Sequence, residues 1–244
     1  MILHHGFDSL PEGLRTVVTV GSFDGVHEGH HTLLDRLIAM SRRLHAESVV
    51  VTFEPHPRIA MGRAEGMKLL TSIQERAWLL GGYGVDRVVV VRFDEQFRQQ
   101  SFEEFVRGSL VSKLGMVGMV VGYNHRLGRG NEGNYESLKP LGSELGFELE
   151  RVEQYTDLGD KVSSTVVRGL LERGEAERAR EIMGHPYIIM GRTSGGVLHV
   201  EDEYKMLPKD GEYSAQVNGE STKIVVAGRD IAVSGEDRDI IIEL

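Results

Sequence analysis

Five short strand-like runs, separated by segments of helical period, restrict this chain to an α/β architecture. The runs are Thr16–Val20 (TVVTV), 48–53 (SVVVTF), 87–93 (RVVVVRF), 116–121 (MVGMVV) and 147–152 (FELERV). The first shows no polar alternation, so it reads as a strand buried on both faces. Over about 30–44, Leu33, Leu34, Leu37, Ile38 and Leu44 recur at helical spacing, opposite Asp35, Arg36, Arg42 and Arg43. Capping-box spacings at Thr71-Ser72-Ile73-Gln74-Glu75 and Ser101-Phe102-Glu103-Glu104 open two more helices. The first is predicted to stop at Gly81-Gly82 and the second to run to about 114. A further helix is predicted over about 165–173. Strands alternating with helices in this way predict a doubly wound parallel sheet covered on both faces.

The pattern changes after Gly184-His185-Pro186. Residues 187–190, 196–200, 213–217, 223–226 and 240–242 read as short strands separated by turns, with Asn218-Gly219 as a hairpin turn. The last 45 residues hold 11 acidic and five basic side chains, so most of the net charge of −9 sits there. These shifts place a boundary near residue 185, dividing the chain into 1–185 and a small β module at 186–244. A chain of 244 residues can bury roughly 70–75% of the surface its unfolded form exposes, enough for one large domain or a medium and a small one. Its acidic balance disfavours a nucleic-acid or anionic-membrane partner bound by bulk positive charge, though not a local phosphate site. The lack of cysteine excludes disulfides and thiolate-ligated metals. The N-terminus, MILHHGFDSLPEG, lacks a secretory pattern, and no run approaches the ~20 apolar residues of a membrane helix. A soluble, cytoplasmic protein is expected.

In an open parallel sheet, ligands bind beyond the carboxyl ends of the strands. The loop after the first run is Gly21-Ser22-Phe23-Asp24-Gly25-Val26-His27-Glu28-Gly29-His30. Its glycines let backbone approach a ligand, and the helix that follows offers unpaired N–H groups and a positive dipole end. His27 and His30 flank that end, where two imidazoles can stabilise charge developing on a transferred phosphate, on the order of 10²–10³ in rate per donor. A plain turn with capping or solvated histidines is the simpler alternative. The same letters satisfy HExxH, but Gly25 and Gly29 set His27 ahead of the helix, against the one-turn spacing a zinc site needs. No GxxxxGK[ST] or GxGxxG motif competes.

A second constellation, Val162-Ser163-Ser164-Thr165-Val166-Val167-Arg168, precedes the helix at 165–173. Its hydroxyls can cap that helix or bind phosphate, and Arg168 can reach an anion. Phe53-Glu54-Pro55-His56-Pro57-Arg58 and Gly122-Tyr123-Asn124-His125-Arg126-Leu127-Gly128-Arg129-Gly130 follow two further strands, on the same side of the predicted sheet.

With these motifs in order, the chain resembles the prokaryotic bifunctional riboflavin kinase/FAD synthetases, in particular their N-terminal FMN adenylyltransferase module. The matching segments are GSFDGVHEGH (21–30), TFEPHP (52–57), FDEQFRQQSFEEFV (93–106), GYNHRLGRGNEG (122–133) and VSSTVVR (162–168), and the likeness extends over about 14–192. It implies a Rossmann-like sheet of the HxGH nucleotidyltransferase type. It also implies that Gly21, Ser22, Phe23, Asp24, Gly25, Ser163, Ser164 and Thr165 hold ATP, with His27, His30 and Arg168 catalytic. Pro55, His56, Pro57, Asn124 and Arg126 are implied on the flavin side, where His125 and Leu127 stand at positions the family fills with aromatic rings. Magnesium is implied on the phosphates with no protein ligand assigned, and Asp24 is a candidate outer-sphere partner or a stabiliser of the turn.

The family's kinase module carries a Pro-Thr-Ala-Asn run, and none of the six prolines here precedes a threonine. LPKDGEYSAQVNG (207–219) still resembles a barrel hairpin of that module, so the tail reads as a reduced remnant without riboflavin kinase activity. The resulting expectation is an FAD synthetase that transfers AMP from Mg-ATP to FMN, releasing pyrophosphate. A nucleotidyltransferase with a different phosphate acceptor and a nonenzymatic nucleotide- or flavin-binding regulator are the alternatives. Oligomeric state is not readable from the sequence.

Overall fold

The computed structural model describes residues 1–153, 156–157 and 160–244, and in it the strand-like runs form one sheet. Its strands are β1 (Ile2–His5), β2 (Thr16–Val20), β3 (Glu47–Glu54), β4 (Arg87–Arg92), β5 (Met116–Gly122) and β6 (Glu148–Val152). They lie in the order β1-β4-β3-β2-β5-β6, and every neighbouring pair is parallel. The order runs outward in both directions from β2, so the switch between β2 and β5 falls beside the loop that begins at Gly21. Val17, Val18, Val49, Val50, Val51 and Val89 are fully buried, as a central parallel strand requires of both its faces.

Helices α1 (Glu28–Arg43), α2 (Pro57–Ala60), α3 (Ile73–Tyr83), α4 (Glu95–Gln99), α5 (Phe102–Phe105), α6 (Tyr135–Leu145), α7 (Ser164–Glu172) and α8 (Ala176–Met183) connect the strands or follow them. Both expected capping boxes form. Ser72 and Glu75 exchange backbone bonds at the start of α3, and Ser101 and Glu104 do so at α5. Two helix ends differ from expectation. α3 runs through Gly81-Gly82 and stops only at Gly84 (φ +106), where Gly84 N and Val85 N bond back to Gly81 O and Leu80 O. Gly81 serves packing instead, since a Cβ there would lie 3.0 Å from Met1 Cβ. The helix expected over 101–114 leaves α-helical pitch at Val106–Val111, a π turn in which Ser112 N bonds to Arg107 O.

A separate antiparallel sheet follows, in the order β10-β13-β12-β11-β14-β9. Its members are β9 (Ile188–Arg192), β10 (Val197–His199), β11 (Gly211–Val217), β12 (Glu220–Ala227), β13 (Asp230–Ala232) and β14 (Asp239–Glu243). Between the two sheets in the chain, the two-residue strands β7 (Thr156–Asp157) and β8 (Asp160–Lys161) pair with each other. Asn218 (φ +51) and Gly219 (φ +83) make the expected two-residue hairpin, both in the left-handed region that a type I′ turn demands. The outermost strands in the order, β9 and β10, are consecutive in the chain and lie side by side, so the sheet curls on itself.

The chain forms two compact units. One holds Met1–Phe23, His30–Glu65 and Leu79–Tyr155; the other gathers Asp24–Gly29, Gly66–Trp78 and Thr156–Leu244. The core of the first packs the parallel strands against Phe105, Leu110, Leu114 and Leu138. That of the second joins Ile189, Ile224, Ile231 and Ile242 of the curled sheet to Leu70, Val167, Leu170 and Met183. No helix among the described residues is long and apolar enough to cross a membrane.

Candidate active site

In the parallel-sheet unit, β2 delivers Gly21, whose N–H donates to Val51 O at 3.0 Å. A Cβ on Gly21 would approach Phe23 Cε2 to 3.1 Å, so the bare backbone lets the buried Phe23 ring fold against the strand end. That ring lies 5.1 Å from the ring of His30. His30 sits in the first turn of α1, among N–H groups with no intrahelical partner. His31, the last residue of the HExxH string, stacks on Tyr83 at 4.6 Å, and His27 precedes the helix, so the two are not one helical turn apart on α1.

The other unit holds Asp24, Gly25, His27, Ser163, Ser164, Thr165 and Arg168. Asp24 is 2% exposed, and its carboxylate accepts from Thr71 N (3.1 Å), Thr71 Oγ1 (3.3 Å) and an Arg168 Nη (2.8 Å). An Arg76 Nη lies 3.9 Å away. This carboxylate is therefore engaged with protein groups of its own unit. Ser164 Oγ donates to Asp24 O at 2.9 Å, and Gly25 N donates to Thr71 Oγ1 at 3.1 Å. Gly25 (φ +83) has no room for a side chain, since a Cβ would come within 2.5 Å of Leu70 Cδ1. The buried Val26 is held at φ +42, a strained conformation for a β-branched residue of the kind that clusters at ligand sites. Ser163 occupies the N-cap of α7 without a side-chain capping bond. Arg168 stands one turn into that helix, and its Nε is buried with no hydrogen-bond partner. An uncapped helix N-terminus beside an arginine offers charge and donors to an anion.

Within the parallel-sheet unit, a cavity of about 400 Å³ opens at the carboxyl ends of β2 and β3. Phe53, Phe93, Phe97 and Phe105 wall it, in edge-to-face and tilted contacts with centroids 5.2–5.6 Å apart. Arg63, Arg98, Arg126 and Arg129 bring positive charge to its lining, and Gly21 belongs to the same wall. Of the expected acceptor residues, Pro57 and Arg126 line this cavity. His56 instead caps α2, its Nδ1 accepting from Arg58 N at 3.2 Å. Pro55 borders a shallow depression with His5 and Gly6, and Asn124 is exposed. Sequence spacing does not mark these phenylalanines as site residues, although Phe53 and Phe93 each end a valine run. The loop after β5 is closed by paired backbone bonds between Leu127 and Gly133 and is pinned by Arg129 N donating to Gln100 O.

The open parallel sheet, with a glycine- and histidine-bearing loop at its switch point, makes this a mixed α/β protein of the class whose ligands commonly bind beyond the strand carboxyl ends. Residues 11–166 match the FAD synthetase family model, and the chain belongs to that family. It is 35% identical over 180 residues to the bifunctional riboflavin kinase/FMN adenylyltransferase of Escherichia coli (strain K12), a match covering 74% of this chain and 58% of that protein. The chain thus matches less than two thirds of that relative's length. It is also 30% identical over 216 residues to an FAD synthetase of Listeria monocytogenes serovar 1/2a (strain ATCC BAA-679 / EGD-e), covering 87% of each. A solved structure described as a macrolide-efflux protein from Streptococcus pneumoniae superposes with a TM-score of 0.83 at 20% identity, over 100% of this chain and 90% of that one, and shows a shared fold.

Proposed function

We propose that the chain is an FMN adenylyltransferase built on a Rossmann-like sheet of the HxGH nucleotidyltransferase type. The observation that carries this reading is the phenylalanine-walled, arginine-bearing cavity whose wall includes Gly21, the first residue of the glycine–histidine loop. A flat, apolar ring system fits the aromatic wall, and a phosphorylated tail suits the arginines. An oxygen of the FMN phosphate attacks the α-phosphorus of ATP, a new P–O bond forms in line, and the bond to the β-phosphate oxygen breaks to release pyrophosphate. Catalysis of this kind is positioning and charge stabilisation. His27 and His30 stabilise the attacked phosphate and the leaving group, and Arg168 with Ser163 and Thr165 holds the β- and γ-phosphates. Gly21, Ser22, Phe23, Asp24, Gly25 and Ser164 complete the nucleotide-holding loops, with Asp24 also bonded to Ser164 and to Thr71. Magnesium would enter as part of the Mg-ATP substrate and offset phosphate charge, with no protein ligand assigned to it and Asp24, held by Arg168 and Thr71, as a candidate outer-sphere partner.

Residues 1–185 are proposed as the adenylyltransferase domain and 186–244 as a reduced barrel without kinase chemistry, in a cytoplasmic protein that binds small molecules and no nucleic acid. The test is incubation with FMN, ATP and magnesium, and separately with riboflavin in place of FMN, resolving flavins and assaying pyrophosphate. FAD and pyrophosphate from FMN, with no FMN from riboflavin, are expected; ATP binding without FAD would overturn the reading. His30→Ala is expected to lower kcat by about 10²–10³, and an unchanged kcat would remove His30 from the mechanism.

A further inference from the structure

The segment between β10 and β11 holds a buried cation that adenylyl transfer does not use. Lys205 is 2% exposed, and its ammonium donates to Glu75 Oε2 (2.7 Å), Leu70 O (2.7 Å) and Ile188 O (2.9 Å), which satisfies all three of its protons. Its ammonium also lies 4.5 Å from the Tyr187 ring centroid. A buried ion pair is a poor source of stability, because desolvating two charges offsets most of their attraction. What such a pair does well is fix one arrangement of the groups around it.

The groups around it lead directly to the nucleotide loop. The other Glu75 oxygen accepts from Met190 N at 2.9 Å, and Oε2 also caps Ser72 N. Leu69 N donates to Tyr204 O, and Met206 N donates to Leu69 O at 2.7 Å, so residues 68–70 run as a short strip along 203–206. The next residue is Thr71, whose N–H and hydroxyl hold the Asp24 carboxylate and whose oxygen receives Gly25 N. Asp24 in turn holds Arg168. His185 Nε2 stands 3.0 Å from Gly25 O, a second tie to the same loop. All these residues belong to one compact unit, the one that gathers Asp24–Gly29 and Gly66–Trp78 with the C-terminal sheet.

We infer that Lys205 is a positioning residue for the nucleotide loop: with Glu75 it fixes the 68–72 strip, and through Thr71 that strip sets Asp24, Gly25 and Arg168. The C-terminal sheet then acts as a brace for ATP binding in place of a second catalytic centre. The link to ATP rests on the adenylyltransferase reading; the link from Lys205 to the loop does not.

The test compares the full-length protein with Lys205→Met, the charge-neutral pair Lys205→Met/Glu75→Gln, Thr71→Val and the conservative Thr71→Ser. Amide hydrogen exchange at residues 24–29 is read alongside the KM values for ATP and FMN. Lys205→Met and Thr71→Val are expected to speed exchange at 24–29 by about tenfold or more and to raise KM for ATP by a similar factor, with KM for FMN within about twofold. Thr71→Ser is expected to stay near wild type. If Lys205→Met does not fold, the neutral pair and Thr71→Val carry the comparison. Folded variants whose exchange at 24–29 is unchanged, or rises only in step with every other segment, would overturn the inference. If the wild type makes no FAD, the adenylyltransferase reading fails and the exchange result alone decides the brace.

Discussion

His125 occupies a position where the family the sequence resembles carries an aromatic ring, and it has one of the most perturbed environments among the described residues. Its Nε2 is buried with no hydrogen-bond partner, and burial, reinforced by the neighbouring Arg126 guanidinium, pushes its pKa down to about 4 from 6.5. Between those values the unfolded chain binds a proton that the folded chain refuses, so stability falls as pH falls from about 6.5 to about 4 and is untouched above. From this residue alone, the fold is expected to lose about 2 kcal/mol between pH 7 and pH 5. His125→Phe is expected to flatten that dependence, seen as a Tm advantage over wild type that widens from pH 7 to pH 5; parallel Tm curves would refute it. What spacing along the chain makes legible is the local setting of the candidate residues: Gly21 directly after β2, His30 in the first turn of α1 and Ser163 at the N-cap of α7. Thr71 could not be linked to Asp24 from sequence, because 47 residues separate them and only the folded backbone brings them together.

At the scale of elements, local signals were reliable and tertiary ones were not. Both S-x-x-E boxes became caps, and Asn218-Gly219 became a hairpin, because each is settled by a few neighbouring backbone bonds. β1 carries no strand signal in its sequence, its four residues including two histidines and no valine run; it is a strand because β4 offers an unpaired edge. α6 was hidden by Pro140 at its middle, although Leu138, Leu141 and Leu145 keep a helical spacing and Asn134 caps its start. The loop that floors the aromatic cavity depends on Gly128, at φ +76 and ψ 177, a region open essentially to glycine alone. A Cβ there would come within 2.4 Å of Phe102 N. Gly128→Ala is therefore expected to displace residues 126–131, raising KM for FMN about tenfold while KM for ATP moves less than about twofold. Equal effects on both substrates would show that the loop does not belong to the acceptor side.

At the scale of the whole molecule, the expected division into a parallel-sheet domain and a β module identified two kinds of sheet, but not how the chain distributes itself between compact units. Segments 24–29 and 66–78 read as parts of the first domain, because along the sequence they lie between its strands, yet they pack with residues beyond 155. Leu70, Val167, Leu170, Leu171 and Met183 are all at most 2% exposed, and strands after residue 185 help to bury them. A chain cut after residue 185 is thus expected to expose this cluster and to lose the cooperative melting of that unit, with aggregation on heating. A monomeric, cooperatively melting 1–185 fragment would show that the cluster is self-sufficient. The same discontinuity carries an expectation for synthesis. Residues 24–29 leave the ribosome before Lys205 by roughly ten seconds or more at about 5–20 residues per second, so on the brace inferred for Lys205 this loop is expected to settle only after the C-terminal sheet has been made.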